Sequence, residues 1–201
     1  MFNEIVIHQG PDASPPKWAI DFAVGTACMS PCQKRKVGIS VYRCIEALGS
    51  GIERTERTGI SGFNGPPVSR CGTLTTPPAS GHCDGSKACR DSCGRRCVHA
   101  EFRAIDTIST YGRRYSLTTD QMRMVHVKLD GAGKLIPNDG PSCVECSKHI
   151  LDVGVGGIWL YQDSVWHTVL DAQEREAIEP RWIYYDAERF HRETCVRLGV
   201  Y

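Results

Sequence analysis

The sequence lacks both a long apolar run and an excess of charge of one sign. No apolar stretch reaches the roughly 18 residues that a membrane-spanning helix needs, and 24 basic side chains are balanced by 23 acidic ones. The opening segment MFNEIVIHQG has neither the basic n-region nor the long apolar h-region of a signal peptide. These absences argue against general electrostatic attraction to nucleic acid or to an anionic membrane. They predict a soluble, cytoplasmic protein.

Internal repeats and low-complexity tracts are also missing. A chain of 201 residues without them is long enough for one well-buried domain and short for two. We therefore expect a single domain over residues 1–201. Its segment 65–98 is rich in proline, glycine and cysteine and has no regular period, which predicts a long, functional or cross-linked loop.

Cysteine is abundant, with eleven in the chain. Disulfides rarely persist in a reduced compartment, and an odd number leaves at least one cysteine unpaired. Metal-bound thiolates are therefore the favoured interpretation. Cys28, Cys44 and Cys195 lie among helix or strand formers and are predicted to be buried apolar side chains instead.

Hydrophobic periodicity predicts alternating helices and strands. A helix begins after Ser14-Pro15-Pro16, with an apolar face of Trp18, Phe22 and Ala23, and ends near Met29. The further predicted elements are strands KVGISVYR (36–43) and GISGF (59–63), helix HAEFRAIDTIST (99–110), strand MVHVKL (124–129), helix CVECSKHILDVG (143–154) and strand GIWLY (157–161). After Gln162 we expect a helix or irregular stretch, a short strand RWIYY (181–185), and a last helix capped by Asp186. This order predicts an α/β fold whose central sheet carries helices on its faces.

Two motifs carry metal chemistry. Cys143 and Cys146 form a CxxC at a predicted helix start, where the spacing brings two sulfurs together and the helix N-terminus favours thiolates. His99 opens another predicted helix. A catalytic zinc takes three protein ligands and keeps one open position, so these three residues are candidate ligands. Alone, the CxxC could equally be a structural half-site or a redox pair.

Glu101 lies two residues after His99, where a carboxylate can exchange a proton with a nearby water without binding the metal. HxE followed by proline and CxxC is the signature of zinc-dependent deaminases of cytosine or adenine. One departure is that Ser142 stands between Pro141 and the first cysteine, which predicts a different pocket lining but leaves the CxxC intact.

In these motifs the chain resembles the cytidine deaminase-like superfamily, and most of all the deoxycytidylate (dCMP) deaminases of bacteria and phages. The resemblance is carried by KRKVG (34–38), GFNGPP (62–67), GHCD (81–84) and HAE (99–101). It implies a three-layer α/β/α fold with a central mixed sheet of about five strands. The last third fits less well, with an extra segment at 130–140, expected to be a hairpin or loop, and a divergent segment at 162–201.

The resemblance also implies an activity, namely hydrolytic deamination of a cytosine-containing (deoxy)nucleotide such as dCMP, with release of ammonia. Glu101 would be catalytic, and His99, Cys143 and Cys146 would hold the catalytic zinc. Substrate contacts fall on Asn64, Ala100 and Ser142. Asn64 precedes Gly65 and two prolines, so an ordinary turn residue is an equally good interpretation of it taken alone.

A second, structural zinc is also implied by the resemblance. Cys32 at the end of the first helix, Cys83, Cys89, and either Cys93 or Cys97 would hold it and order the loop before His99. The competing ligands are Cys71 and His82.

Two other functions remain open. One is deamination of a base in single- or double-stranded nucleic acid, or of a modified nucleoside, because of Ser142 and the segment 130–140. The other is a zinc-stabilised binding module without turnover, against which the intact Glu101 argues. A homo-oligomer is expected from the family. Trp159 and Tyr161 are predicted to be core residues, and His126 and His149 to be satisfied by their neighbours.

Overall fold

The computed structural model describes residues 4–6, 13–32, 35–46, 53–65, 97–115, 118–138, 143–169 and 172–200. Its strands are β1 (Glu4–Val6), β2 (Lys36–Glu46), β3 (Glu53–Phe63), β4 (Met122–Leu129), β5 (Leu135–Ile136), β6 (Gly157–Val169) and β7 (Ala172–Asp186). Its α-helices are α1 (Lys17–Cys28), α2 (Ala100–Tyr115), α3 (Val144–Val153) and α4 (Ala187–Leu198), and a single 3-10 turn (Thr119–Gln121) precedes β4.

The strands form one mixed sheet in the order β1-β3-β2-β4-β6-β7, with β5 paired to β4. Only β4 and β6 are parallel, over 123–126 and 157–160. The remaining neighbours are antiparallel. The predicted α/β/α architecture with a central mixed sheet is thereby confirmed.

The segment after Gln162 differs from the prediction. The expected helix or irregular stretch is wrong, because β6 continues to Val169 and pairs with β7 along a long hairpin. Val165, Trp166, Thr168 and Val169 are β-branched or aromatic residues that suit a pleated strand. The predicted cap is confirmed, since the Asp186 side chain accepts a hydrogen bond from the Arg189 backbone N–H at 2.8 Å.

Helix α1 covers one face of the sheet through a row of alanines. Ala19, Ala23 and Ala27 are fully buried, and they pack with Tyr42, Val125, Val127, Leu129 and Trp159 of the strands. The predicted apolar face of α1 is therefore only partly right, because Phe22 is 41% exposed. The i, i+4, i+8 row of small side chains makes the contact instead, since it allows close approach of helix and sheet.

The opposite face of the sheet carries the other three helices. Their buried side chains come from α2 (Ala100, Ala104, Ile105, Ile108), α3 (Ile150) and α4 (Ala187, Phe190), and they pack with Ile39, Val41, Met122, Met124, Ile158 and Leu160. Cys44 and Cys195 are buried as predicted, whereas Cys28 is exposed at the last turn of α1. Across the described ranges, no helix is long and apolar enough to cross a membrane.

Gly38 and Gly25 provide a matched test of the packing of α1. A Cβ at Gly38 would collide with the backbone of Ala23 and Ala27, whereas one at Gly25 would meet nothing within 4 Å. We expect Gly38→Ala to lower the free energy of unfolding by about 1–3 kcal/mol through overpacking. Gly25→Ala should raise it by about 0.5–1 kcal/mol, because alanine is the better helix former. Urea denaturation measures both, and equal effects would contradict this packing.

Candidate metal and catalytic site

The CxxC motif forms the start of α3. Cys143 is the N-cap residue, and its sulfur accepts a hydrogen bond from the Cys146 backbone N–H at 3.4 Å. The two sulfurs lie 3.1 Å apart. Because a helix N-terminus presents unpaired N–H groups and a partial positive charge, this position stabilises thiolates.

His99 reaches the same point from the start of α2. It immediately precedes Ala100, the first helical residue, and its carbonyl accepts from the Arg103 N–H. Its Nδ1 lies 3.1 Å from the Cys146 sulfur and 3.4 Å from the Cys143 sulfur. The structure therefore brings the three predicted ligands into one group, although they are 44 and 47 residues apart in sequence.

The donor set fits a zinc ion. The three ligand atoms lie within 4.8 Å of one another. Ligands of a tetrahedral zinc, at the usual bond lengths, are separated by about 3.6–3.8 Å, so the observed group is a few tenths of an ångström tighter. His99 and Cys143 are half-buried and Cys146 is buried, so the group has a protein side and an accessible side. This is the arrangement of a site with three protein ligands and an open position.

The local electrostatics favour a thiolate. The hydrogen bond between the Cys143 and Cys146 side chains is the largest cause that lowers the pKa of Cys143, to about 4, and the hydrogen bond with His99 adds to it. The hydrogen bond with Cys143 in turn raises the pKa of His99. A metal ion binding here would displace the protons shared within the group, so metal affinity falls as the pH is lowered.

Glu101 lies beside this group without joining it. It is 4% exposed in the first turn of α2, and its carboxylate is 3.4 Å from Nε2 of His126 on β4. A buried carboxylate next to, but outside, a three-ligand group is placed to exchange protons.

His126 is a residue whose importance the sequence analysis missed. The prediction that neighbours satisfy it holds for Nε2, which faces Glu101, but Nδ1 has no hydrogen-bond partner among the described residues. The signal available in the sequence was a histidine alternating with apolar residues on the inner face of MVHVKL. His149, in contrast, stacks on Phe102 with ring centroids 5.1 Å apart.

Asn64 has an evident structural role. Its Oδ1 accepts from the Val37 N–H and from the Ser30 hydroxyl, each at 2.8 Å, and its Nδ2 donates to the Arg35 carbonyl. Three of the four hydrogen bonds that an amide side chain can make are thus made to protein. They join the segment after α1 to the ends of β2 and β3. A contact with substrate stays a prediction for Asn64.

The structure describes Ala100 and the two ends of the cysteine-rich segment 65–98. Ala100 is fully buried beside His99. Its carbonyl packs so closely on Gly62 that a Cβ added to Gly62 would collide with the carbonyl oxygen. Gly65 and Val98 pair with each other through two backbone hydrogen bonds, which close the base of the segment 65–98. Ser142, Cys71, His82, Cys83, Cys89 and Cys93 lie outside the described residues.

Two candidate ligands of the second metal site lie next in sequence to residues at the Gly65–Val98 pair. Cys32 is half-buried and follows Pro31, which packs against Gly65. Cys97 is half-buried and precedes Val98, the pairing partner of Gly65. Within the described ranges, His99, Cys143 and Cys146 are the one group of three or more candidate ligands.

Within the segment 130–140, residues 130–136 form a hairpin, one of the two shapes expected there. Asp130 Oδ1 accepts from the backbone N–H groups of Ala132 and Lys134, both at 2.9 Å, and β5 returns along β4. The chain then bridges to β6 through Asn138 and Gln162.

Trp159 is a core residue as predicted. It is 3% exposed, and its indole N–H donates to the Tyr42 hydroxyl at 2.8 Å. Tyr161 is half-buried and packs beside Trp182.

Comparison with known proteins adds no family assignment. No protein-family model matches the sequence, and no curated protein matches it. The resemblance to dCMP deaminases therefore rests on the motif residues alone.

The three ligands are expected to hold one zinc ion together. His99→Ala, Cys143→Ser and Cys146→Ser should each remove about one equivalent of zinc per chain, because loss of one of three protein ligands leaves too few for tight binding. Elemental analysis of purified protein measures this. Cys28→Ser, an exposed thiol on α1, is the control and should retain the wild-type content. Unchanged zinc in all three ligand variants would contradict the site.

Proposed function

We propose that this protein is a zinc-dependent hydrolytic deaminase of a cytosine-containing (deoxy)nucleotide such as dCMP. The observation that carries the proposal is the buried Glu101 carboxylate beside the converging side chains of His99, Cys143 and Cys146. A purely structural zinc site would have no use for this carboxylate. The order HxE then CxxC, with each motif at a helix start, is the pattern of zinc deaminases.

A zinc ion held by His99, Cys143 and Cys146 would supply Lewis acidity and lower the pKa of a water molecule. Glu101 would accept a proton from that water and return it to the amino nitrogen of the base as the carbon–nitrogen bond breaks. One water is consumed, and ammonia and the uracil product are released. The adjacent His126 would keep the carboxylate oriented, because its Nε2 lies 3.4 Å from Glu101.

A free nucleotide or nucleoside is the favoured substrate class. The near-neutral net charge of +1 offers no general attraction to a nucleic-acid polymer. The KRKVG and GFNGPP motifs resemble those of enzymes acting on dCMP. We extend the proposal to a homo-oligomer on the same resemblance. A base in nucleic acid or a modified nucleoside is the alternative substrate.

Glu101→Gln separates catalysis from metal binding. The amide cannot accept the proton, so we expect turnover to fall by at least about 100-fold while zinc content and the unfolding midpoint are unchanged. Ammonia release is measured with cytidine, deoxycytidine, dCMP and single-stranded oligonucleotides as substrates. Glu188→Gln, an exposed carboxylate at the start of α4, is the control and should retain full activity.

The outcome of this screen decides between the candidate functions. Activity on dCMP that disappears in Glu101→Gln supports the proposal. Activity confined to oligonucleotides would move the substrate to nucleic acid. Absence of ammonia release from every substrate by zinc-loaded wild-type protein would refute a deaminase and leave a binding module.

A second, structural zinc is the other part of the proposal. Cys32 follows Pro31, which contacts Gly65, and Cys97 precedes Val98, so both cysteines are neighbours in sequence of residues at the base of a segment that contains further cysteines. A metal bound between them would order that segment, for which metal binding is also folding free energy.

Zinc stoichiometry tests the second ion. We expect about two zinc ions per wild-type chain and about one in Cys32→Ser, which keeps the ion held by His99, Cys143 and Cys146. Cys143→Ser should lose that ion instead. Cys32→Ser should unfold at a lower temperature, because the bound metal stabilises the folded state. One zinc per wild-type chain, unchanged in Cys32→Ser and Cys97→Ser, would remove the second site.

A further inference from the structure

Four buried polar atoms in the described structure have no hydrogen-bond partner there and belong to residues of β4, of β6 and of the segment after β5. They are Nδ1 of His126, Nδ2 of Asn138, Nε2 of Gln162 and Oγ of Ser164. All four residues are less than a tenth exposed, and Gln162 and Ser164 are fully buried. Buried polar groups are normally paired, so a group of four without partners indicates a missing ligand or an ordered water. We call these residues the buried polar cluster.

The strand register places the cluster beside the candidate site. His126 pairs with Leu160 in the parallel β4–β6 contact, and Gln162 lies two residues farther along β6 on the same face. That face packs against α2 and α3, since Leu160 belongs to their core. Asn138 bridges to Gln162 where β5 diverges from β4. The cluster thus extends from Glu101 toward the carboxyl ends of two parallel strands, where α/β sheets bind ligands.

The chemistry of the cluster selects oxygen acceptors. The Tyr185 hydroxyl donates to Oε1 of Gln162 at 2.6 Å, which leaves the N–H groups of Nε2 available. Nδ2 of Asn138 is likewise a donor only, and the Ser164 hydroxyl can donate as well.

The distance also suits one substrate molecule. Gln162 lies about 7 Å beyond the level of His126, at the usual rise of a strand. This separation is within the length of a nucleoside whose amino group lies at Glu101.

We propose that Asn138, Gln162 and Ser164 form a specificity subsite that donates hydrogen bonds to oxygen atoms of the substrate, on the side away from the reacting amine. The inference rests on the proposed deaminase function and names part of its substrate recognition. The oxygens would belong either to the base and sugar of a nucleoside or to a phosphate group.

Binding and stability together test the subsite in the zinc-loaded full chain. Deoxyuridine, dUMP and inorganic phosphate serve as probes in titration calorimetry, because none of them is consumed. Ser164→Ala and Asn138→Leu remove unpartnered donors. We therefore expect each variant to bind dUMP at least about fivefold more weakly than wild type, with an equal or higher melting temperature. Binding of phosphate alone, weakened by the same variants, assigns the phosphate as the recognised group. Binding of deoxyuridine, with no binding of inorganic phosphate, assigns the nucleoside oxygens as the recognised group.

Ser40→Ala is the matched control. Ser40 is also fully buried in the sheet, but its hydroxyl donates to the Ala19 carbonyl at 2.6 Å. Its replacement should lower the melting temperature and leave dUMP affinity unchanged. A melting temperature lowered as much in Ser164→Ala as in Ser40→Ala would identify a structural water and overturn the subsite. So would unchanged affinity in both cluster variants, or no binding of any probe by wild-type protein.

The two proposals can fail separately. Probe binding that depends on Ser164 and Asn138, in a protein that releases no ammonia from any of the tested substrates, refutes the deaminase and leaves the subsite. Deamination of dCMP with an unchanged KM in both variants refutes the subsite and leaves the deaminase.

Discussion

The structure depends on two helices beginning at one point above the sheet. The metal-ligand group exists only because the first turns of α2 and α3 bring His99 and the CxxC sulfurs within 3.1–3.4 Å. Helix α2 can reach that point because Gly62 of β3 has no side chain where the Ala100 carbonyl lies. A side chain at this position would lift the helix start, and His99 with it, by a distance that short metal bonds do not tolerate.

The same geometry gives Glu101 its environment. A position two residues after His99 carries the carboxylate down against the sheet, where β4 supplies His126 at 3.4 Å. His99 and Cys143 stay partly exposed, whereas Cys146 and the Glu101 carboxylate are buried. The proposed hydrolysis of a bound base would use this arrangement, because the partly exposed ligands would admit water and the buried carboxylate would be held in place.

Close approach of small residues recurs on the other face, where Gly38 admits the alanine row of α1. The helix layers are thus positioned by residues without bulky side chains, and the sheet sets the geometry of the site from beneath. Asn64 belongs to this framework, because its amide joins the segment after α1 to β2 and β3. A motif that resembles a substrate contact has a structural function in this chain.

Local pattern was sufficient for most of the element types and for the three candidate ligands, because a CxxC or an HxE at a helix start is written in adjacent residues. It also identified the layered α/β class and the Asp186 cap. It failed for the stretch between Gln162 and the predicted strand at 181–185, where strand formation depends on a hairpin partner more than on local preference. It also failed for Phe22, whose exposure follows from which helix row meets the sheet.

The sequence by itself therefore determined the chemistry available at the site, namely one imidazole, two thiolates and a carboxylate at fixed spacings. Only the tertiary structure decided that they meet, that His126 supports the carboxylate, and that Asn138, Gln162 and Ser164 lie buried beside it. The reason is that these contacts join strands and helices distant in the chain, and sequence spacing carries no information about sheet order and register.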